Sequence, residues 1–542
     1  MHFTVGVKTG ALQVNASVRH LPNVLSLAVL ALVLAQLTYH LASFPGLHGD
    51  EAWVGLRAID IQSTGLTSLQ GMNGYAGALF PPIVAAAFAT IGKSVFSLRI
   101  PGALFNWLAL AVMTITFWRR GHAAIIFLLL ISSSLLFVYY SRVAWEVCAL
   151  QNFLLSLIVA GLFRLAASAK PALGPTLLVL LAFSLGTWNH YIFLAASFSF
   201  ALAAMLIWLR SPADEHARLL LLAAVNLVLQ AALLIAKLLT PAGPFISHIL
   251  PALLAGLLLV IAAGIAYVRL VGSLLPWIAA IPVRKKDTVQ FVQRAVVFGT
   301  AAVLVYAIVY DGPTFFGTVS GIIMLERVNS IVPDLFVGLA AQLYLLVLVA
   351  TFVALSVRRW RRDDGSPADP LKSLLLLWPL AFFPAFAIET LHTADRYFII
   401  PQFLFFAGVA LSFEDLPVRF RRGLAAILVL NFVITQQFTW REIAGTEDRR
   451  PITFSYGFYD DTSAHFLRLS RLENYLEAHG FCSVESSSFF IVKPLRFLQS
   501  GDPACRSNQS VDIEYCNSCQ EPVPWFQIGR PVVGGPTGVA RP

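Results

Sequence analysis

Charge is what this chain has least of. Of its 542 residues, 38 are Lys or Arg and 29 are Asp or Glu, so 12% are charged and 58% are hydrophobic, with a mean hydropathy of +0.74. Soluble domains carry about twice that charged fraction, so the composition excludes one and fits a polytopic membrane protein. The formal net charge of +9 could serve a nucleic acid, but the basic residues fall in short loops between apolar runs. Membrane topology explains them, and no nucleic-acid partner is expected. A Walker phosphate loop and a dinucleotide fingerprint are also missing, and no inside loop is long enough to form a nucleotide-handling domain. Any donor is therefore a membrane lipid or an external solute. An inverted repeat of the kind found in many transporters is lacking too.

Cysteine is scarce and unevenly placed. Of five, Cys148 stands alone in an apolar run and reads as a small core residue, whereas Cys482, Cys505, Cys516 and Cys519 fall in the last hundred residues. Cys516-Asn517-Ser518-Cys519 has the spacing of a metal or redox pair, but no second pair accompanies it. An outside location favours disulfides, in any of three connectivities.

The apolar runs set the topology. Residues 21–41 carry no charge and can cross a bilayer, which takes about 20 residues. That run exceeds the roughly 7 to 15 apolar residues of a signal peptide, so a retained first span is expected, with residues 1–20 cytoplasmic. Basic clusters at Trp118-Arg119-Arg120, Arg164 to Lys170, Arg210 to Arg218, Arg284 to Lys286, Arg358 to Arg362 and Arg419 to Arg422 fall inside by the lysine and arginine bias of cytoplasmic loops. Between them lie outside loops centred on Tyr140-Ser141-Arg142, Asn189-His190-Tyr191, Pro241 to His248, Asp311 to Asp334 and Glu389 to Tyr397. This alternation predicts an all-α bundle of about 13 transmembrane helices over residues 21–440.

Residues Phe80 to Val95 are apolar but short. If they crossed, Arg119 and Arg120 would land outside, so they are expected to lie in or dip into the outer interface, with the next span running from Arg99 to Trp118. The first outside loop then covers residues 42–98, and Lys93 reads as a snorkelling lysine. Beyond about residue 441 polar residues return. A small extracytoplasmic α/β domain is expected over 441–530, with a helix over Asp460 to His479 and a strand over Ser487 to Val492, then a disordered Gly/Pro-rich tail over 531–542.

The first outside loop holds Leu47-His48-Gly49-Asp50-Glu51-Ala52-Trp53. Two adjacent carboxylates where the chain leaves the membrane are costly and tend to be functional; the plainer alternative is two solvated loop carboxylates. Other polar groups gather on the same side: Arg142, Glu146, His190, Tyr191, His392, Arg396 and Tyr397. Arg142 and Glu146 stand at the i, i+4 spacing of an ion pair, and the histidines and tyrosines also suit an aromatic belt.

Taken in order, Asp50-Glu51, Pro81-Pro82, Arg99-Ile100-Pro101, Ser141-Arg142-Val143-Ala144-Trp145-Glu146 and Ala394-Asp395-Arg396-Tyr397-Phe398 with Pro401 resemble the GT-C glycosyltransferases, in the branch of the protein O-mannosyltransferases and lipid A aminoarabinose transferases. The resemblance covers residues 21–440. It implies an inverting transfer of sugar from a polyprenyl-phosphate donor to a hydroxyl on a protein, lipid or cell-envelope glycan at the outer face of the membrane. The abundant Ala, Leu and Arg suit a high-GC bacterium, and so a bacterial inner membrane is expected. Asp50 would be the general base and Glu51 its orienting or acceptor-binding neighbour. Arg142, His392, Arg396 and Tyr397 would attend the donor phosphate, and Glu146, His190 and Tyr191 the substrate. One departure stands out. The aminoarabinose branch has an acidic residue and a lysine before its Pro-Pro, where this chain has Leu79-Phe80. No tightly bound cofactor or metal is expected, although Asp50, Glu146 and His190 are residues a divalent ion could use. The competing classes are a flippase of a lipid-linked sugar, with its site near the midplane, and an O-antigen polymerase or ligase.

Overall fold

The structure is a computed structural model of the whole chain. It describes residues 16–280 except for 46, 67–70, 72–75, 169, 211–213 and 240–245, then residues 369–389 and 399–444, and short pieces at 351, 354–355, 483–485, 493–494, 496–498, 510–515 and 526–528. Fifteen helices run through the described residues: α1 (Ala16–Thr38), α2 (Gly49–Thr64), α3 (Phe80–Ile91), α4 (Val95–Phe117), α5 (Ala123–Ser132), α6 (Leu135–Tyr140), α7 (Glu146–Ala149), α8 (Gln151–Ala166), α9 (Leu173–Asn189), α10 (Ile192–Arg210), α11 (Asp214–Leu239), α12 (Ile246–Ala280), α13 (Pro370–Glu389), α14 (Ile399–Ser412) and α15 (Val418–Ala444).

Among the described residues six segments are long and apolar enough to cross a membrane: Leu21–Thr38, Val95–Phe117, Glu146–Ala166, Ile192–Arg210, Asp214–Ala236 and Leu254–Ile278. With the charge-poor composition they make the chain an integral membrane protein. The full set of about 13 spans expected from the sequence draws on runs outside the described residues, including those flanked by Arg284 to Lys286 and Arg358 to Arg362.

The long loop expected over residues 42–98 is largely helical, since it contains α2 and α3. Pro81 and Pro82 open α3 at its first positions, where a missing N–H costs nothing. Twelve residues rise only about 18 Å, too short to cross about 30 Å of hydrocarbon. The next helix, α4, begins at Val95 behind a Ser94 cap, whose side chain accepts from Ser97 N–H at 3.0 Å.

Helix α5 is the centre of the bundle. All ten of its residues are buried, and α1, α4, α14 and α15 pack around it. It breaks at Ser133-Ser134, a discontinuity that exposes backbone groups which an apolar medium does not tolerate unpaired. The sequence supplies the partners. Ser134 Oγ accepts from Phe137 N–H at 3.1 Å and donates to Gln402 Oε1 at 2.9 Å, and Gln436 Nε2 donates to the Ser132 carbonyl at 3.2 Å. After the break α6 leads the chain to residues 141–146 at one end of the bundle.

The opposite end is tied by charge. Arg120 pairs with Asp369 at 3.7 Å and lies over the Phe163 ring, His122 N–H donates to Glu414 Oε1 at 3.2 Å, and Lys372 meets Asp415 at 3.0 Å. Helices α13 and α14 meet closely enough that a Cβ on Gly408 would come 2.5 Å from the Leu375 carbonyl oxygen. Gly408→Ala forces two backbones apart, and overpacking of this kind typically costs about 1–3 kcal/mol. A lowered thermal midpoint of the detergent-solubilised variant is the expected result, and an unchanged one would refute the close approach.

In the C-terminal region, β1 (Ser483–Glu485), β2 (Ser510–Tyr515) and β3 (Phe526–Ile528) form a three-stranded sheet in the order β1-β2-β3, parallel between the first two and antiparallel between the last two. The expected helix over Asp460 to His479, the strand over Ser487 to Val492, the tail over 531–542 and the cysteines Cys482, Cys505, Cys516 and Cys519 lie outside the described residues.

Candidate functional site

Asp50 and Glu51 occupy the first turn of α2, where the helix dipole favours negative charge. His48 caps that turn. Its Nδ1 accepts from Asp50 N–H at 3.1 Å, and its own N–H donates to Glu51 Oε2 at 3.2 Å, a capping box built on histidine. The Nδ1 that accepts carries no proton, so a neutral His48 bears its proton on Nε2.

Glu51 is fully buried and held from four directions. Arg99 Nε donates to Oε1 at 2.5 Å and Arg99 Nη2 to Oε2 at 2.8 Å; the Ala144 N–H reaches Oε1 at 2.9 Å, and the His48 N–H completes the set. A carboxylate offers about four lone-pair sites, and all are used. Arg99, from the first turns of α4 and also fully buried, extends the clamp through Nη1 to the carbonyls of Leu41 at 3.0 Å and Pro45 at 2.6 Å. One ion pair thus joins four stretches of sequence: the exit from α1, the start of α2, the first turns of α4 and the 141–146 turn.

Arg142 performs a second clamp on the same exit. Its Nε and Nη2 donate to the Phe44 carbonyl at 3.1 and 2.9 Å, Nη2 also donates to the Tyr39 carbonyl at 2.7 Å, and Nη1 donates to the Gln36 carbonyl. Its guanidinium carbon sits 5.6 Å from the Phe44 ring centroid. The terminal carbonyls of α1 have no partners within the helix, and a cation at a helix C-terminus is favourable. Burial first, and the Arg99 charge second, push the Arg142 guanidinium down to about 9, so it stays protonated at neutral pH and keeps its donors.

Around Asp50, itself 7% exposed, the chain is polar and aromatic. The His48 ring stacks on Trp145 with centroids 4.8 Å apart, and Trp145 leans toward Tyr140 at 6.5 Å. Glu146 follows Trp145 as the first residue of α7 and is buried; its carbonyl accepts from Asn189 Nδ2 at 2.7 Å. Asn189 ends α9, and His190 turns the chain into α10, with Nδ1 accepting from Ile192 N–H at 3.2 Å and its ring 4.9 Å from that of Tyr191. A bridge between Ala76 and His190 brings the α2–α3 loop to the same place. Gly77 runs so close that a Cβ would collide with the Trp188 carbonyl.

The bundle therefore gathers Asp50, Glu51, Arg142, Glu146, His190 and Tyr191 at one end. Among the described residues, the buried Asp, Glu and Arg side chains are Asp50, Glu51, Arg99, Arg142 and Glu146, all at this end. His392, Arg396 and Tyr397 lie outside the described residues, and so do residues 241–245; His248 falls in the first turn of α12. Among the described residues no group of three or more His, Cys, Asp or Glu side chains is arranged to hold a metal. Sequence reasoning passed over His48 and Trp145. For His48 the available signal was the His-x-x-Glu spacing ahead of a helix, a capping box with an unusual first member; Trp145 stood in the quoted 141–146 motif without a role assigned to it.

No family model and no curated protein matches the chain. Solved structures similar to it include the following three. The apo oligosaccharyltransferase of Archaeoglobus fulgidus matches with a TM-score of 0.47 at 12% identity, over 85% of this chain and 58% of that one. ArnT from Cupriavidus metallidurans bound to undecaprenyl phosphate matches with a TM-score of 0.40 at 11% identity, over 96% of this chain and 100% of that one. The apo state of the same ArnT matches with a TM-score of 0.33 at 14% identity, over 72% and 77%. The chain spans 58% of the length of the oligosaccharyltransferase. At these identities the likenesses assign no role to any residue; the roles below come from the geometry of this chain.

Proposed function

We propose that the chain is a membrane glycosyltransferase that moves a sugar from a polyprenyl-phosphate donor to a hydroxyl acceptor, with Asp50 as general base. The observation that carries this reading is the division of labour within the acidic pair. Glu51, with every lone pair engaged by Arg99, Ala144 and His48, has no capacity left for a substrate proton, and it fixes the first turn on which Asp50 sits. A rigid helix terminus holding one carboxylate, at the end of an apolar bundle, supplies what proton abstraction at a lipid-linked substrate needs: a base within hydrogen-bond reach and an orientation set in advance.

In the proposed step the acceptor hydroxyl gives its proton to Asp50 as its oxygen bonds to the anomeric carbon. The bond from that carbon to the phosphate oxygen breaks on the opposite face, so configuration inverts and polyprenyl phosphate leaves with the electron pair. Charge develops on the departing phosphate, and a fixed cation there stabilises the transition state. Arg99 and Arg142 have most of their donors committed to Glu51 and to backbone carbonyls, so we assign that cation to Arg396, and name His392 and Tyr397 as further candidates for the donor phosphate. Glu146, His190 and Tyr191 stand on the substrate side. Protein, lipid and envelope glycan all qualify as acceptor by this chemistry.

The experiment is transfer by purified protein from a panel of radiolabelled undecaprenyl-phosphate sugars to a cell-envelope extract. Covalent product with release of undecaprenyl phosphate is expected. Movement of intact donor across proteoliposomes without covalent transfer would overturn the reading in favour of a flippase.

We place the site on the periplasmic side of a bacterial inner membrane, because Arg119, Arg120, Arg164 and Lys170 lie toward the other end and basic loops stay inside. Thr90 and Lys170 are both exposed. An impermeant maleimide added to intact spheroplasts is expected to label Thr90→Cys and spare Lys170→Cys; the reverse pattern would put the site inside.

A further inference from the structure

We propose that Phe497, more than 400 residues beyond it in sequence, is a positioning residue for the Asp50 helix, so that the C-terminal segment is a working part of the site. This rests on the transferase reading above. Four observations meet at one place. Phe497 is 1% exposed although it lies outside the apolar bundle sequence. Its ring lies against the backbone of α2 at Gly55, where a Cβ would collide with it, 2.5 Å from Cδ2. Phe88 of α3 is also near it, with ring centroids 6.1 Å apart. Lys93, just past the end of α3, donates through Nζ to the carbonyls of Phe497 at 3.1 Å and Leu498 at 3.3 Å, and stands 5.5 Å from the centroid of the Phe497 ring.

The chemistry of each contact is specific. Glycine within a helix loses more chain entropy on folding than any other residue; at Gly55 it permits an aromatic ring to approach a helix backbone. Lys93 gives its donors to backbone carbonyls of a distant segment rather than only to water, and its charge adds a cation–π contact. Together α2, α3 and Lys93 form a slot that one aromatic side chain fills. Gly55 lies five residues from Asp50, about 7.5 Å along the helix axis. The clamp of Glu51 fixes the start of α2, and Phe497 fixes its bearing one turn and a half later. Two points define a line: the base is aimed only when both are held.

Docking and its consequence are tested separately. Docking is read by oxidative cross-linking of Gly55→Cys/Phe497→Cys in the full-length protein, with peptide mapping to separate a 55–497 bond from bonds of the native cysteines. The 55–497 bond is expected, and its failure to form under an oxidant that cross-links a control pair would overturn the proposal. The positioning role is read by a double-mutant cycle on turnover of the undecaprenyl-phosphate sugar. Gly55→Ala and Phe497→Ala are each expected to lower kcat about 10-fold with KM little changed, and the double variant to be no slower than either alone, because the alanine methyl collides only with the ring. Phe497→Leu should recover part of kcat. Losses that multiply, or that fall on KM, would overturn the positioning role. A wild type that makes the 55–497 bond in its cysteine form yet transfers no sugar from any donor of the panel would count against the transferase reading and the positioning role, and leave docking standing.

Discussion

Asp50→Asn is expected to abolish sugar transfer while the protein still folds and still binds undecaprenyl phosphate. The amide keeps the shape of the carboxylate and its place on α2, whose cap uses the backbone N–H of residue 50 and not its side chain. What it loses is basicity. A positioned general base contributes roughly 100- to 10,000-fold in rate, equivalent to about 3 to 5 kcal/mol of barrier. Because the lost interaction forms only as the proton moves, kcat and kcat/KM should fall together. The thermal midpoint should change little, since residue 50 contributes no member of the Glu51–Arg99 clamp. Glu51→Gln provides the contrast. Its amide NH2 would face a donor where the carboxylate oxygen accepted from Arg99, Ala144 and His48, so this variant should lose stability as well as rate. Transfer by Asp50→Asn at close to the wild-type rate would remove Asp50 from the mechanism, and a shared loss of stability would remove the distinction between the two acids.

Much of this arrangement is legible in the sequence. The lysine and arginine bias put Asp50, Arg142 and His190 on one side of the membrane, and the structure brings them to one end of the bundle. The short run after Pro81 is a short helix, and α4 begins close to the expected Arg99. Less legible was which charges face a substrate and which hold the chain. Arg142 and Glu146 stand at ion-pair spacing along the sequence, yet the donors of Arg142 go to the carbonyls of Gln36, Tyr39 and Phe44. Backbone carbonyls are present at every residue, so sequence carries no mark of those left unpaired where a helix ends. Arg99 belonged to a recognised motif, but its partner Glu51 lies 48 residues away, and nothing in a linear pattern couples them. Lys93 has the composition of a snorkelling lysine, and its acceptors belong to residues 497 and 498. In each case the side chain type was readable and the partner was not, because the partner is a product of the fold.

The largest loss of stability is expected from Arg99→Leu. This substitution leaves the Glu51 carboxylate fully buried with its main countercharge gone, and breaking a buried pair in this way costs about 3–5 kcal/mol. It also strips donors from the carbonyls of Leu41 and Pro45, each worth about 1–3 kcal/mol if left buried and unsatisfied. Little folded protein should survive extraction, measured as monodisperse material after solubilisation and as the thermal midpoint of what remains. Arg99→Lys should fall between, since one ammonium cannot hold both Glu51 oxygens and two carbonyls at once as the planar fork does. The double variant Glu51→Leu/Arg99→Leu separates holding the fold from holding the base. Replacing both partners with apolar groups commonly restores stability, so this protein should be recovered in greater yield than Arg99→Leu. Its Asp50 is intact, but the first turn of α2 is no longer tied to α4 and to Ala144, and a catalytic carboxylate displaced by about 1 Å can cost about 100-fold in rate. Recovery of the fold without recovery of turnover is the expected outcome. An Arg99→Leu protein that melts within a degree or two of wild type would show that the clamp does not hold the fold together, and a double variant with full turnover would show that Asp50 is aimed by something else.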